Sequence, residues 1–249
     1  IAVTTVGVGT DYNEDLMAAL SRNSDGNTYF VENSNDLPRI FGEEMGDVLS
    51  VVARDVILEI HCGDGVRPVR LIGREGDVRE DRVEIRLNQL YGGQEKFALL
   101  EVEVPPTASG AQRDIAGAVL RYENLLNGRK ERSEGLAQAQ FSRSDEEVQQ
   151  SANVGVVNDI TINVAAENME QAIELADEGR AQEAAAKIRE QAQVLKLQGT
   201  ATQDQPMLEE AQNLEKWADD LETDRRLDAA GRKGMRSRSE QIYRQQLKQ

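Results

Sequence analysis

Apolar residues change their period twice along the chain. Over residues 1–53, strand and helix signals alternate: Ile1-Ala-Val-Thr-Thr-Val6 is β-branched and runs into Gly7 and Gly9, and Asn13 to Leu20 carries helix formers. The Asp25-Gly26 turn opens a short strand, Thr28 to Val31. Asn35 or Asp36 then caps a helix whose apolar set, Leu37, Ile40, Phe41, Met45, Val48, Leu49 and Val52, falls at helical spacing. Two such β-α units in tandem predict parallel strands covered by helices. From Asp55 the period is two: Val56, Leu58, Ile60 and Cys62 alternate with Ile57, Glu59 and His61, and the same rhythm recurs at Val83, Ile85, Leu87 and at Leu100, Val102, Val104. With Ile115 to Tyr122 and Leu136 to Phe141 flanking Asn127-Gly128, these short strands predict an antiparallel β-sandwich.

After Ser144 the strand signals end. Ser144-Asp-Glu-Glu147 has capping-box spacing, and Ile162, Ala165, Ala166, Met169, Ala172, Ile173 and Ala176 mark a helix from Asp159 that closes at Gly179. The β-branched run Val154 to Ile162 is a poor helix start. A second helix is expected from Gln182 to Gln198, then a break at Gly199 to Thr202 and Pro206, and a third helix through Met207, Leu208, Ala211, Leu214, Trp217, Ala218 and Leu221. The pattern predicts an α+β multidomain chain: an α/β unit at 1–53, a β-sandwich at 54–143 and a helical region at 144–249 ending in a basic tail.

Charge narrows the partners. In 249 residues, 45 Asp and Glu outweigh 29 Lys and Arg, for a formal charge of −16, which repels phosphate backbones and argues against nucleic-acid binding by the body. Six basic residues (Arg232, Lys233, Arg236, Arg238, Arg244, Lys248) against the single acid Glu240 make residues 231–249 an exception. With few apolar residues there (Met235, Ile242, Tyr243, Leu247), this tail is expected to be a solvated extension whose spacing still allows a short amphipathic helix; packing against the acidic helix bearing Asp219, Asp220 and Glu222 would overturn that expectation. No apolar run is long enough to span a membrane. Ile1 is not a methionine and lies inside a strand signal, so the sequence reads as a fragment or processed product.

Candidate chemistry is sparse. Val6-Gly-Val-Gly-Thr10 follows a strand, but a dinucleotide loop needs a third glycine where Tyr12 stands, and a tight strand-exit turn is the reading. His61 and Cys62 are the chain's one histidine and one cysteine; as strand neighbours they point to opposite faces and cannot form a dyad. Asp11, Glu14 and Asp15 gather carboxylates at a helix start, which suits helix capping better than calcium. The Ala172 to Leu195 hairpin resembles one tetratricopeptide-like helix pair, where a solenoid needs about three. No catalytic, cofactor-binding or metal-ligating residue is assigned.

The order of Thr4-Thr-Val-Gly-Val-Gly-Thr-Asp-Tyr-Asn-Glu-Asp-Leu16, Gly26-Asn-Thr-Tyr-Phe-Val31, Leu37-Pro-Arg-Ile-Phe, Glu43-Glu44 and Val51-Val52 resembles the last part of bacterial von Willebrand factor type A domains. Asp55 to Pro105, the strands around Tyr122 and the alanine-rich hairpin are similar to the accessory region that follows the domain in a bacterial subfamily. The resemblance implies a partial α/β unit of that family followed by the sandwich and helices. It centres function on a metal-ion-dependent adhesion site built on an Asp-x-Ser-x-Ser loop, which this chain lacks, so Mg²⁺ is expected only if that loop lies upstream of Ile1. It further implies a non-enzymatic binding or scaffolding module acting through a protein partner; a regulatory or substrate-binding subunit of an enzyme and a helical adaptor are the alternatives. The strand Ile1 to Val6 would be an inner strand, paired with an upstream segment or a partner chain. The lone cysteine suggests a cytoplasmic location, with an exported lipoprotein as the alternative.

Overall fold

β-branched residues hold the chain extended from Thr5 to Val8, and Gly9, at φ +70°, turns it out of the strand. This strand, β1 (Thr5–Val8), leads to helix α1 (Glu14–Ser24), strand β2 (Thr28–Val31), a 3-10 turn (Ser34–Asp36) and helix α2 (Leu37–Val48). Strands β3 (Val51–Cys62), β4 (Arg67–Ile72), β5 (Asp77–Val78), β6 (Arg82–Tyr91), β7 (Leu99–Glu103), β8 (Gln112–Asn124) and β9 (Arg129–Gln140) follow. Helices α3 (Asp145–Ser151), α4 (Val154–Asp177), α5 (Ala181–Thr202), α6 (Gln205–Asp224) and α7 (Ala229–Tyr243) complete the chain. The structure, a computed structural model, describes residues 2–48 and 50–246; Ile1, Leu49, Leu247 and Lys248, used in the readings above, lie outside the described residues.

The chain folds as two compact units, one made of Ile1–Pro38 with Asn153–Gln249 and the other of Arg39–Ala152. In the first, β1 and β2 pair in parallel from Thr5 opposite Thr28 to Val8 opposite Val31, with α1 connecting them. Asn13 caps α1 by accepting from the Leu16 amide, and Asp25 ends it in the left-handed conformation. Alanines (Ala165, Ala172, Ala184, Ala185, Ala192, Ala218) supply much of the helical core, so α4, α5 and α6 approach closely, while Met169, Ile173, Ile188, Leu195, Leu214 and Leu221 fill the spaces between them.

Helix boundaries depart from the sequence reading where packing overrides propensity. α4 starts at Val154, capped by Asn153, despite its β-branched first turns. α5 runs through Gly199 to Thr202; a Cβ at Gly199 would lie 3.1 Å from Leu208 of α6, so the glycine admits that leucine rather than breaking the helix. Pro206 sits in the first turn of α6, where no amide is needed, beside the Asp204 cap. Asn33, not Asn35 or Asp36, accepts the capping bond before the 3-10 turn, and Val51 and Val52 belong to β3 instead of the preceding helix. The largest departure is the basic tail: residues 229–243 form α7, with Met235 0% and Ile242 4% exposed inside the helical core.

In the second unit, the described strands form a five-stranded antiparallel sheet ordered β5-β6-β3-β8-β9 and a two-stranded sheet β4-β7. Ile60, Val83 and Ile85 of the larger sheet pack with Leu71 and Leu100 of the smaller, which places the alternating apolar residues on one face. Asp55, at φ +51°, lies in an irregularity of the β3–β8 register between Arg54 and Ile57. β9 begins at Arg129, seven residues before the Leu136 start that the sequence periodicity suggests, because pairing with β8 carries the charged run Arg129 to Glu134 into the ladder.

Met235→Ala is expected to cost about 2–4 kcal/mol in urea unfolding, as for a leucine-sized side chain removed from a closed core. Leu126→Ala, at a residue 80% exposed in the β8–β9 turn, should change stability by less than about 0.5 kcal/mol. Equal effects would show that α7 is not packed.

Candidate interaction surface

Capping by Asn13 puts Glu14 and Asp15 in the first turn of α1, where the helix dipole favours carboxylates. α7 brings three cations against them. Arg232 donates to Glu14, to Asp15 at 3.1 Å and to Asp177 at 2.8 Å. Lys233 donates to Glu14 and, at 2.6 Å, to the Tyr12 carbonyl oxygen, with its ammonium 4.3 Å from the Tyr12 ring centre. Arg236 forms an ion pair with Asp15 at 3.1 Å and donates to Glu170. Farther along, Arg22 of α1 pairs with the fully buried Glu240, Arg238 with the fully buried Glu210 at 2.5 Å, and Arg244 with Asp25 at 3.2 Å.

Burial by itself would push the Glu14 carboxyl up; hydrogen bonds from Lys233, from its own amide and from Arg232 outweigh it and hold the group below the ordinary range. Glu240 goes the other way: burial raises it, and the Arg22 guanidinium offsets only part of that. Burial, with the Glu14 charge behind it, pushes the Tyr12 hydroxyl up to about 12. Tyr12 in turn explains the first glycine of the strand exit, because a Cβ at Gly7 would lie 2.0 Å from the Tyr12 ring. The Gly-Val-Gly sequence thus serves a turn and a ring contact.

The same helix closes one edge of the parallel pair and leaves the other open. The Thr28 amide donates to the Gln246 side-chain oxygen at 3.2 Å, and the Gln241 amide nitrogen reaches the Thr28 carbonyl at 3.4 Å, so side chains of the α7 segment meet the outer edge of β2 at Thr28. On β1, the Thr5 and Gly9 amides donate to Asn27 and Val31 carbonyls. Period two then turns the N–H and C=O groups of Val6 and Val8 away from β2, and among the described residues no strand lies there. Val3 and Val8 of this segment are exposed, as are Leu16 and Leu20 one turn apart on α1, all by more than 40%.

The structure separates the other sequence candidates. His61 is exposed on β3 with Glu59 4.0 Å away, while Cys62 is partly buried and its thiol is pushed up by burial and by Asp81. Glu59 itself is held by Arg121 and Arg82. Asp219 and Glu222 do not receive the tail; they pair with Arg189 of α5. Among the described residues no group of three or more His, Cys, Asp or Glu side chains converges as a metal would require. No described helix is long and apolar enough to cross a membrane. Sequence reading passed over the acceptor for the basic tail. Its signal was present in the clustering of six cations on an acidic chain, but the partner lies more than 200 residues away.

No family model matches the sequence. Over 82 residues the chain is 33% identical to the E3 ubiquitin-protein ligase WAV3 of Arabidopsis thaliana, a match covering 30% of this chain and 11% of that protein. The structure superposes on a von Willebrand factor type A protein from Catenulispora acidiphila with a TM-score of 0.62 at 15% identity, over 86% of this chain and 51% of the other. It also superposes on the human COPII-coat protein Sec24c with a TM-score of 0.57 at 16% identity, over 96% of this chain and 32% of the other. At these identities the likeness is one of fold, and the chain spans about half or less of each of these proteins.

Glu14→Gln should reduce stability by about 1–3 kcal/mol at neutral pH, by leaving Lys233, only 5% exposed, with one acceptor fewer. Because the folded carboxyl lies below its ordinary value of 4.5, the stabilisation is present above that value and is lost as pH falls through the folded one. Urea unfolding at successively lower pH should therefore narrow the gap between wild type and variant below 4.5. A constant gap would contradict the assignment.

Proposed function

We propose, for a chain with a von Willebrand factor type A-like fold, that it is a non-enzymatic binding or scaffolding module acting through protein–protein interaction. The observation that carries this reading is the open edge of β1: the backbone groups of Val6 and Val8 turn away from β2, in a segment with Val3 and Val8 exposed, and the pair's other edge meets glutamine side chains at Thr28. Bare edges of this kind accept strands. The strand comes from outside this sequence, either from an upstream part of the same protein or from a partner chain. The two sheets of the second unit form a β-sandwich platform, and the protein works in the cytoplasm. The Sec24c superposition supports an interaction role through the coat-protein description of that neighbour.

The alternative is a substrate-binding or regulatory segment of a larger enzyme, which the local likeness to a ubiquitin ligase favours. In a reconstituted ubiquitin-transfer assay this chain is expected to form no conjugates.

Hydrogen exchange tests the edge. In the 249-residue chain the Val6 and Val8 amides should exchange fast while Gly7 and Gly9, bonded toward β2, are protected. A photo-crosslinker at Val8 or Leu20 should capture polypeptide in the source cell. Protection of Val6 and Val8 in the isolated chain, or cross-links scattered over the surface, would count against the reading.

A further inference from the structure

The five-stranded sheet of the second unit has two unlike edges. One is β5, only two residues long, a short strand of the kind that blunts an edge. The other is β9, which runs 12 residues, pairs only with β8 among the described residues and is exposed over nearly its whole length. Its first half carries edge-guarding charges at Arg129, Lys130, Glu131, Arg132 and Glu134. Its second half, Gly135-Leu-Ala-Gln-Ala-Gln140, has no charge, no proline and no bulge of its own, since the register shift at Asp114/Ala116 inserts its extra residue into β8.

Backbone direction follows from one bond. The Phe141 amide donates to Ala111, so residue 141 and, by period two, the odd residues of β9 face β8. The N–H and C=O groups of Arg132, Glu134, Leu136, Gln138 and Gln140 therefore point outward. Leu136 lies opposite Gly117, which offers it no side chain, and is 59% exposed.

We infer that this half-edge is a self-association surface, on which β9 of a second copy of the chain pairs antiparallel with Leu136 opposite its own symmetry mate. A two-fold axis normal to the sheet relates the strands, which makes Leu136 and its mate a pair exchanging both backbone hydrogen bonds. In this register Gly135 faces Ala137, Glu134 faces Gln138, Ser133 faces Ala139 and Arg132 faces Gln140. No like charges meet, and the two exposed leucines cover each other. Registers centred on Glu131, Arg132 or Glu134 would each set like charges face to face, which is destabilising. A strand-edge contact of this size belongs to the weak, concentration-dependent class. The inference stands apart from the proposed function, because β9 and β1 belong to different units.

Sedimentation velocity over a concentration series of the intact chain should show a monomer–dimer equilibrium, with the amides of 136, 138 and 140 exchanging more slowly as dimer forms. Leu136→Lys, which sets two ammonium groups face to face, should weaken association by about tenfold or more with an unchanged unfolding midpoint, as befits an exposed site. Register is read in a Cys62→Ser background: opposed residues of such a pair lie about 5.5 Å apart at Cα, within disulfide reach. Leu136→Cys should therefore oxidise to a covalent dimer much faster than Ser133→Cys. A monomer at every concentration overturns the inference and leaves the edge to some other chain. A dimer indifferent to Leu136→Lys, or equal cross-linking at the two positions, overturns it as well.

Discussion

The attraction between the carboxylates opening α1 and the cations of α7 organises the first unit. Glu14 and Arg232 stand 218 positions apart, yet the entropy of closing so long a loop grows only slowly with its length, and three cations converge on two acids. Several features follow from that docking. Lys233 fixes the Tyr12 carbonyl and ring, and Tyr12 requires a glycine at position 7. Gln241 and Gln246 reach the outer edge of β2, which an isolated parallel pair could not otherwise satisfy. Glu240 and Glu210 are fully buried against partly exposed arginines, and such pairs set the registry of α7 more than they add net stability.

Edges are the second organising constraint. β2 is covered by side chains and β5 is short, whereas β1 and β9 leave hydrogen-bonding groups directed outward. Ionisable groups, by contrast, are largely committed to one another: Glu59 to Arg82 and Arg121, Glu123 to Arg54, Asp219 and Glu222 to Arg189. Charges are thus matched internally while the edges of β1 and β9 stay open among the described residues.

The likeness to a von Willebrand factor type A protein extends over 86% of the chain, beyond the first β-α units into the strands and helices that follow. Those later elements carry their own surface features, including the half-edge of β9, so they contribute more than a spacer between termini.

The sequence alone determined whatever depends on residues close together in the chain. Period two placed Val56 and Ile60 inward and His61 outward; threefold and fourfold spacing placed Ala165, Met169, Ala172 and Ile173 on the buried face of α4; glycine marked the turn after β1, while the capping read at Asp11, Glu14 and Asp15 falls to Asn13. Tertiary structure decided what depends on residues far apart. Val154 to Ile162 became helix because packing outweighs a propensity difference of a few tenths of a kcal/mol per residue. The tail became α7 because acids at Glu14 and Asp15 of α1 and at Glu170 and Asp177 of α4 meet its cations only when these distant segments come together. Periodicity reports which face of an element is apolar, but which partner neutralises a charge is fixed by distance in space, and no local pattern encodes that.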